Sequence, residues 1–183
     1  MPVKTGKHPM REYRFCPVCG AERFEENSAK SKICACCGFE MFMNPAAATA
    51  AFISDSGGRL LVVRRGREPA RGTLDLPGGF CDIGETAEEA VRREVKEETG
   101  LTVVAAEFLF SLPNNYTYCG IGIPTMDLFF RCEVADPGNV VAADDAADAE
   151  WMAIDELQPE QFGLQSIRDG VRRLVDDLHK KTH

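Results

Sequence analysis

The sequence predicts an α/β fold, a sheet covered by helices, preceded by a small cysteine-bound segment. Three observations carry this. Short apolar runs bounded by Gly, Pro, Asn and Asp recur between residues 46 and 154 and read as strands. Two stretches, Ala87–Val95 and Leu164–Leu178, place apolar residues at helical spacing. Five of the eight cysteines lie between Cys16 and Cys37. At 183 residues the chain has room for one full domain and a small appendage.

Residues 1–13 read as a flexible polar start and residues 14–43 as the cysteine segment. Asn44-Pro45 is a turn signal, and 44–183 is read as one continuous domain. Ala48–Ile53 and Arg59–Val63 flank Ser54-Asp55-Ser56-Gly57-Gly58, a pattern that predicts a strand–turn–strand hairpin. Arg64–Gly72 reads as a charged loop, and Leu74–Leu76 as a short extended piece stopped by Pro77-Gly78-Gly79. The helix after it opens on Thr86 with Glu89 three residues on, a capping box, and ends at Gly100. Val103–Leu112 and Met126–Val134 read as strands, with a long loop from Pro113 to Pro124 between them. Trp151–Ile154 is a further short strand. The terminal helix presents Leu164, Ile167, Val171, Leu174, Val175 and Leu178 on one face.

The composition, 44% hydrophobic and 27% charged, is that of a soluble globular chain. No run approaches the roughly 18 apolar residues of a membrane helix. The first residues lack the apolar core of a secretory signal, so the cytoplasm is the expected compartment. The net charge of -8 argues against a general binder of nucleic acid or membrane surfaces. The charge is uneven. Residues 1–45 carry seven Lys/Arg against five Asp/Glu, whereas the rest carries fourteen against twenty-four.

Cys16-Pro-Val-Cys19-Gly and Cys34-Ala-Cys-Cys37-Gly are two Cys-x-x-Cys-Gly knuckles separated by fourteen residues. A reducing compartment favours metal over disulfides for such a cluster. Four thiolates in two pairs suit tetrahedral Zn²⁺, with Cys16, Cys19, Cys34 and Cys37 as ligands and Cys36 as the spare. A closed four-cysteine site is structural. It folds a segment too small to have its own core, although a ribbon of this kind also serves as a binding module.

The acidic chemistry concentrates between residues 79 and 101. Glu94, Glu97 and Glu98 are spaced i, i+3, i+4 and share one helix face. Carboxylates this close repel unless a cation or protons neutralise them, and Mg²⁺ prefers such oxygen ligands. Arg93 lies four residues before Glu97 and can hold that carboxylate. The plain alternative is a solvated charged face.

The stretch from Gly79 to Leu101 fits G-x5-E-x7-R-E-U-x-E-E-x-G-U, with U aliphatic, at every fixed position. On these residues the sequence resembles the Nudix hydrolases. The lead-in Leu76-Pro77-Gly78-Gly79 and the downstream Glu150–Leu157 segment add to the likeness. The resemblance implies an α/β/α sandwich with a mixed sheet. It implies Mg²⁺ or Mn²⁺ and hydrolysis of a nucleoside diphosphate linked to another moiety, by water attack on phosphorus. Glu94, Glu97 and Glu98 then bind metal or activate water, with Glu94 or Glu98 as first choice of base. Arg93 orients a glutamate, Glu85 supports the loop, and Gly78 lends a backbone carbonyl. Asp145, six residues before Trp151, is the candidate acidic ligand from outside this stretch.

A zinc ribbon directly before such a domain is similar to the NADH pyrophosphatases, which implies an NADH, NAD or ADP-ribose type substrate and a homodimer. The stretch after the box, Ser111-Leu-Pro-Asn-Asn-Tyr116, keeps only the Ser and first Pro of their signature. Arg64, Arg65 and Tyr116 are candidate substrate contacts. Two other readings follow from the same resemblance. One is a nucleotide-sensing regulator without turnover. The other is hydrolysis of NAD-capped RNA, with the ribbon gripping RNA.

Overall fold

The computed structural model describes residues 8–144 and 146–181. The first three strands, β1 (Phe24–Ser28), β2 (Ser31–Cys34) and β3 (Glu40–Phe42), form an antiparallel meander. Met10, Cys16, Phe24 and Cys34 pack together beside it as a small core.

From Ala46 the chain forms β4 (Ala46–Ile53), β5 (Arg59–Arg65), β6 (Leu74–Asp75), α1 (Ala87–Thr99), β7 (Val103–Tyr118), β8 (Ile121–Val134), β9 (Ala146–Ala153) and α2 (Gln165–Lys181). One sheet has the order β4-β8-β7, with β4 and β8 parallel and β7 antiparallel to β8. The other has the order β6-β5-β9 and is antiparallel. The result is a mixed α/β/α sandwich. Alternate residues of β4 and β5 serve two cores, because side chains along a strand point to opposite faces. Ala50, Phe52, Leu60 and Val62 join Phe129 and the α2 residues Ile167 and Val171. Ala51, Ile53 and Leu61 join Phe130 and the α1 residues Val91 and Val95.

Three expectations are corrected. Residues 48–53 and 59–63 do not pair as a hairpin. The chain does reverse between them, and Asp55 accepts from the Gly57 and Arg59 amides at 2.9 Å. Beyond one bridge, Ser54 to Leu60, the strands part into different sheets. Both are buried on both faces, so each takes an interior place with partners drawn from later in the chain. Residues 113–124 are not a loop. They continue β7 and β8 into a long hairpin that turns at Cys119-Gly120, both in the left-handed region. Pro113 is tolerated because β7 is an edge strand, and Pro124 lies one residue beyond the β4 partner Thr125. Arg64 and Arg65 accordingly end strand β5, ahead of the charged loop rather than within it.

The local helix signals act as their chemistry dictates. Thr86 accepts from the Glu89 amide at 3.2 Å, and Glu89 accepts from the Thr86 amide at 2.8 Å. Gly100 closes the helix at φ 71°. The terminal helix buries Ile167 and Val171, while the side chain of Leu178 lies outside the described residues.

Candidate active site

Helix α1 aims its carboxylate face at a cavity of about 450 Å³. Glu94, Glu97 and Glu98 all line it, as the helical spacing requires. Among the described residues, eight acidic side chains and four arginines line the cavity, which leaves a strong excess of negative charge.

Arg93 organises this face. It grips Glu85 with two bonds, Nε to Oε1 at 3.0 Å and Nη2 to Oε2 at 2.9 Å. Its Nη1 donates to Glu94 at 2.8 Å and to Glu97 at 3.0 Å, and Nη2 donates to the Phe80 carbonyl at 3.0 Å. A planar fork with five donors can serve these acceptors together, and an ammonium cannot. The guanidinium holds the Glu85 carboxyl below its ordinary range. Glu94 moves the other way. Burial pushes its carboxyl up, Arg93 opposes this, and the charges of Glu97 and Asp144 add to the rise.

The loop before the helix completes the site. Pro77 and Gly79 carbonyls accept from Ala51 and Thr49 of β4 at 2.8 and 2.7 Å, so the loop runs alongside that strand. Gly78 has φ 148°, and a Cβ there would stand 2.2 Å from the Thr49 carbonyl oxygen. Its amide donates to Glu98 at 2.9 Å. A Cβ on Gly79 would stand 2.7 Å from the Glu94 carboxylate. Gly79 therefore leaves the space that the Glu94 carboxylate occupies, and Gly78 lets the loop lie close against the β4 backbone.

The donor set fits a hard divalent cation. It consists of carboxylate oxygens on one helix face, in a cavity whose acids outnumber its cations. The three glutamates do not converge on one point as they stand. Arg93 holds Glu94 and Glu97, while Gly78 holds Glu98. Among the described residues, the one group of three or more His, Cys, Asp or Glu ligand atoms within 4.8 Å of one another is Cys16, Cys19, Cys34 and Cys37.

Those cysteines form a compact tetrad. Cys16 and Cys37 sulfurs lie 3.7 Å apart, and those of Cys19 and Cys34 lie 3.5 Å apart. Gly20 and Gly38 close the two knuckles at φ 74° and 75°. The Cys37 backbone amide, with that of Cys36, pulls the Cys34 thiol down to about 6 against the effect of burial. Cys36 itself is exposed and meets the cluster through its amide, 3.4 Å from the Cys34 sulfur. The tetrad fits the ligand set of a zinc ribbon.

The remaining sequence candidates fall as follows. Arg64 is partly exposed and bonds the Gly72 carbonyl at 3.0 Å and Glu150 at 3.3 Å. Arg65 is turned inward, paired with Asp75, 2.7 Å from the Pro69 carbonyl and 3.4 Å from the Tyr116 hydroxyl. Tyr116 packs edge-on against Phe80 at 5.3 Å. All three candidates line the cavity. Asp145 lies outside the described residues. Its neighbour Asp144 lines the cavity. Sequence reasoning missed two buried acids of the same cavity, Asp75 and Asp127. The available signal was an acidic residue inside an apolar run, Leu74-Asp75-Leu76 and Met126-Asp127-Leu128.

Residues 43–174 match the family model described as NUDIX domain. The chain belongs to this family. The Nudix domain thus covers both sheets, α1 and most of α2. An ADP-ribose pyrophosphatase of Methanocaldococcus jannaschii is 33% identical over 70% of this chain and 74% of its own length. The NAD-capped RNA hydrolase NudC of Deinococcus radiodurans is 28% identical over 91% of this chain, which spans only 57% of that relative. A Nudix hydrolase structure from Nitrosomonas europaea shares the fold with a TM-score of 0.70, at 21% identity over 91% of this chain and 93% of its own. The chain is a Nudix hydrolase related to these pyrophosphatases and cap hydrolases. Among the described residues, no helix is long and apolar enough to cross a membrane.

Proposed function

We propose that this chain hydrolyses the pyrophosphate of a dinucleotide of the NADH, NAD or ADP-ribose type, with Mg²⁺ or Mn²⁺ held by Glu94, Glu97 and Glu98. The observation that carries this is Arg93, whose one guanidinium ties Glu85 to Glu94 and Glu97, two carboxylates of a single acid-rich cavity. A bound divalent cation would neutralise the pyrophosphate and lower the pKa of a water.

The chain's own residues do the rest. Gly78 holds Glu98 by its amide, and the Gly79 gap seats Glu94. Glu94 or Glu98, whichever carboxylate oxygen the cation leaves free, takes the proton from the attacking water. The water oxygen bonds to phosphorus as the bridging P–O bond breaks, and the electron pair leaves with the departing phosphate. Arg93 keeps the carboxylates oriented through the reaction. Arg64, partly exposed at the cavity, meets phosphate oxygens, while Arg65 and Tyr116 shape the wall. The cysteine tetrad holds Zn²⁺ as a structural ion.

A second reading, hydrolysis of NAD-capped RNA, is favoured by one observation. The likeness to the NudC relatives runs over 91% of this chain, a span that leaves at most a few residues of the cysteine segment outside it.

The test is a panel of NADH, NAD, ADP-ribose, nucleotide sugars, nucleoside triphosphates and NAD-capped RNA with Mg²⁺, products separated by chromatography. Release of AMP from a dinucleotide supports the proposal. Turnover of triphosphates alone contradicts it.

A further inference from the structure

The cavity lining includes a buried carboxylate, Asp127, that the glutamates of α1 do not explain. It is about 5% exposed. Thr125 and Asp127 lie two apart on β8 and so point to one face, the face that packs on α2. Asp127 accepts from Thr125 Oγ1 at 2.7 Å, from Asn114 Nδ2 of β7 at 3.1 Å, and from the Ser166 hydroxyl at the start of α2.

These three donors are neutral. The nearby cation, Arg65, is spent on Asp75, and the charge of Asp127 is felt at Asp75, where it adds to the upward push of burial. A buried carboxylate held by neutral donors is costly. It is retained here beside apolar cavity walls given by Leu164, Ile167 and the ring of Tyr116. One of its oxygens, Oδ1, receives a single hydrogen bond, which leaves acceptor capacity on a group that lines the cavity. The combination of apolar lining and one charged acceptor suits a ring that presents an N–H₂ group.

We propose that Asp127 is the specificity-determining residue of this cavity and selects a heterocycle carrying an amino or carboxamide N–H₂, the chemistry shared by 6-aminopurines and pyridine carboxamides. This rests on the reading of the cavity as a dinucleotide site. The glutamates of α1 then take the pyrophosphate and Asp127 reads one of the two rings. A charge-assisted bond to a buried acceptor discriminates by about 10- to 100-fold against a ring that lacks the donor.

Binding of mononucleotides tests this without any need for turnover. Dissociation constants are measured by calorimetry for AMP against IMP, and for nicotinamide mononucleotide against its nicotinic acid counterpart. The wild-type chain is expected to favour the N–H₂ member of one pair by at least about tenfold. The pair that shows it identifies the ring. Asp127→Asn, which keeps shape but places a donor there, is expected to bring that preference to within about threefold. Thr125→Val, which removes one of the groups holding Asp127, serves where the first variant fails to fold, and is expected to reduce the preference in part.

Absence of a preference in the wild type overturns the proposal. So does a variant that weakens both members of a pair equally, the signature of a packing role. The two readings fail separately. Preference that depends on Asp127 without dinucleotide hydrolysis removes only the proposed reaction. Hydrolysis without preference removes only the role of Asp127.

Discussion

Adjacent glycines in the loop before α1 should respond to the same substitution in opposite ways. At Gly79 an added Cβ would meet the Glu94 carboxylate at 2.7–2.8 Å, where ordinary contact begins near 3.4 Å. The carboxylate must therefore withdraw by about 0.7 Å, and it is also bound to Arg93 at 2.8 Å, so the shift disturbs the glutamate network. The obstructing atoms are the end of a flexible side chain, so the fold loses only about 1 kcal/mol, while a displacement of this size costs about 100-fold in turnover. At Gly78 the Cβ would meet the Thr49 carbonyl oxygen at 2.2 Å, and φ is 148°. Backbone cannot step aside, so strain and overlap together cost about 3 kcal/mol. That corresponds to about 6–12 °C in Tm for a chain of this size. The assay pairs thermal unfolding of Gly78→Ala and Gly79→Ala with their turnover of ADP-ribose at saturating Mg²⁺. A Gly79→Ala protein with wild-type turnover, or with a Tm loss equal to that of Gly78→Ala, would refute the reasoning.

Three further outcomes are expected. Arg93→Lys keeps the charge but cannot fork onto Glu85 while holding Glu94 and Glu97, so kcat should fall by about 10- to 100-fold with KM little changed, as read from steady-state kinetics. Thr86→Ala removes the hydroxyl that caps α1 and should cost about 1 kcal/mol in denaturant unfolding. Purified protein should contain about one zinc per chain by elemental analysis, and Cys37→Ser should lose it while the Nudix domain still unfolds cooperatively.

What the sequence disclosed is what depends on near neighbours in the chain. The capping box, the Gly100 stop and the shared face of Glu94, Glu97 and Glu98 follow from spacings of three and four residues, which a helix converts directly into contacts. The two cysteine knuckles are legible for the same reason. Strand partners are not. β4 and β5 are adjacent in sequence and look like a hairpin, yet each is apolar on both faces and finds its partners in β8, β6 and β9. The two prolines at 113 and 124 argued for a loop because their permitted positions, an edge strand and a point just past the neighbouring strand, exist only once the sheet is assembled. Asp127 shows in the sequence only as an acid inside an apolar run, and its bond with Ser166, 39 residues away, exists only in the fold. Arg65 looked like a free phosphate contact, and only the fold reveals Asp75 beside it.

The central claim is water attack on phosphorus by a site that Glu94, Glu97 and Glu98 build. The most direct measurement is hydrolysis of ADP-ribose in ¹⁸O-labelled water with Mg²⁺, with products weighed by mass spectrometry, for the wild type and for the Glu97→Gln/Glu98→Gln double variant. The account predicts AMP and ribose 5-phosphate, one ¹⁸O on the phosphate of one product, and no turnover by the double variant. Label on a sugar carbon, or undiminished cleavage by the double variant, would contradict it.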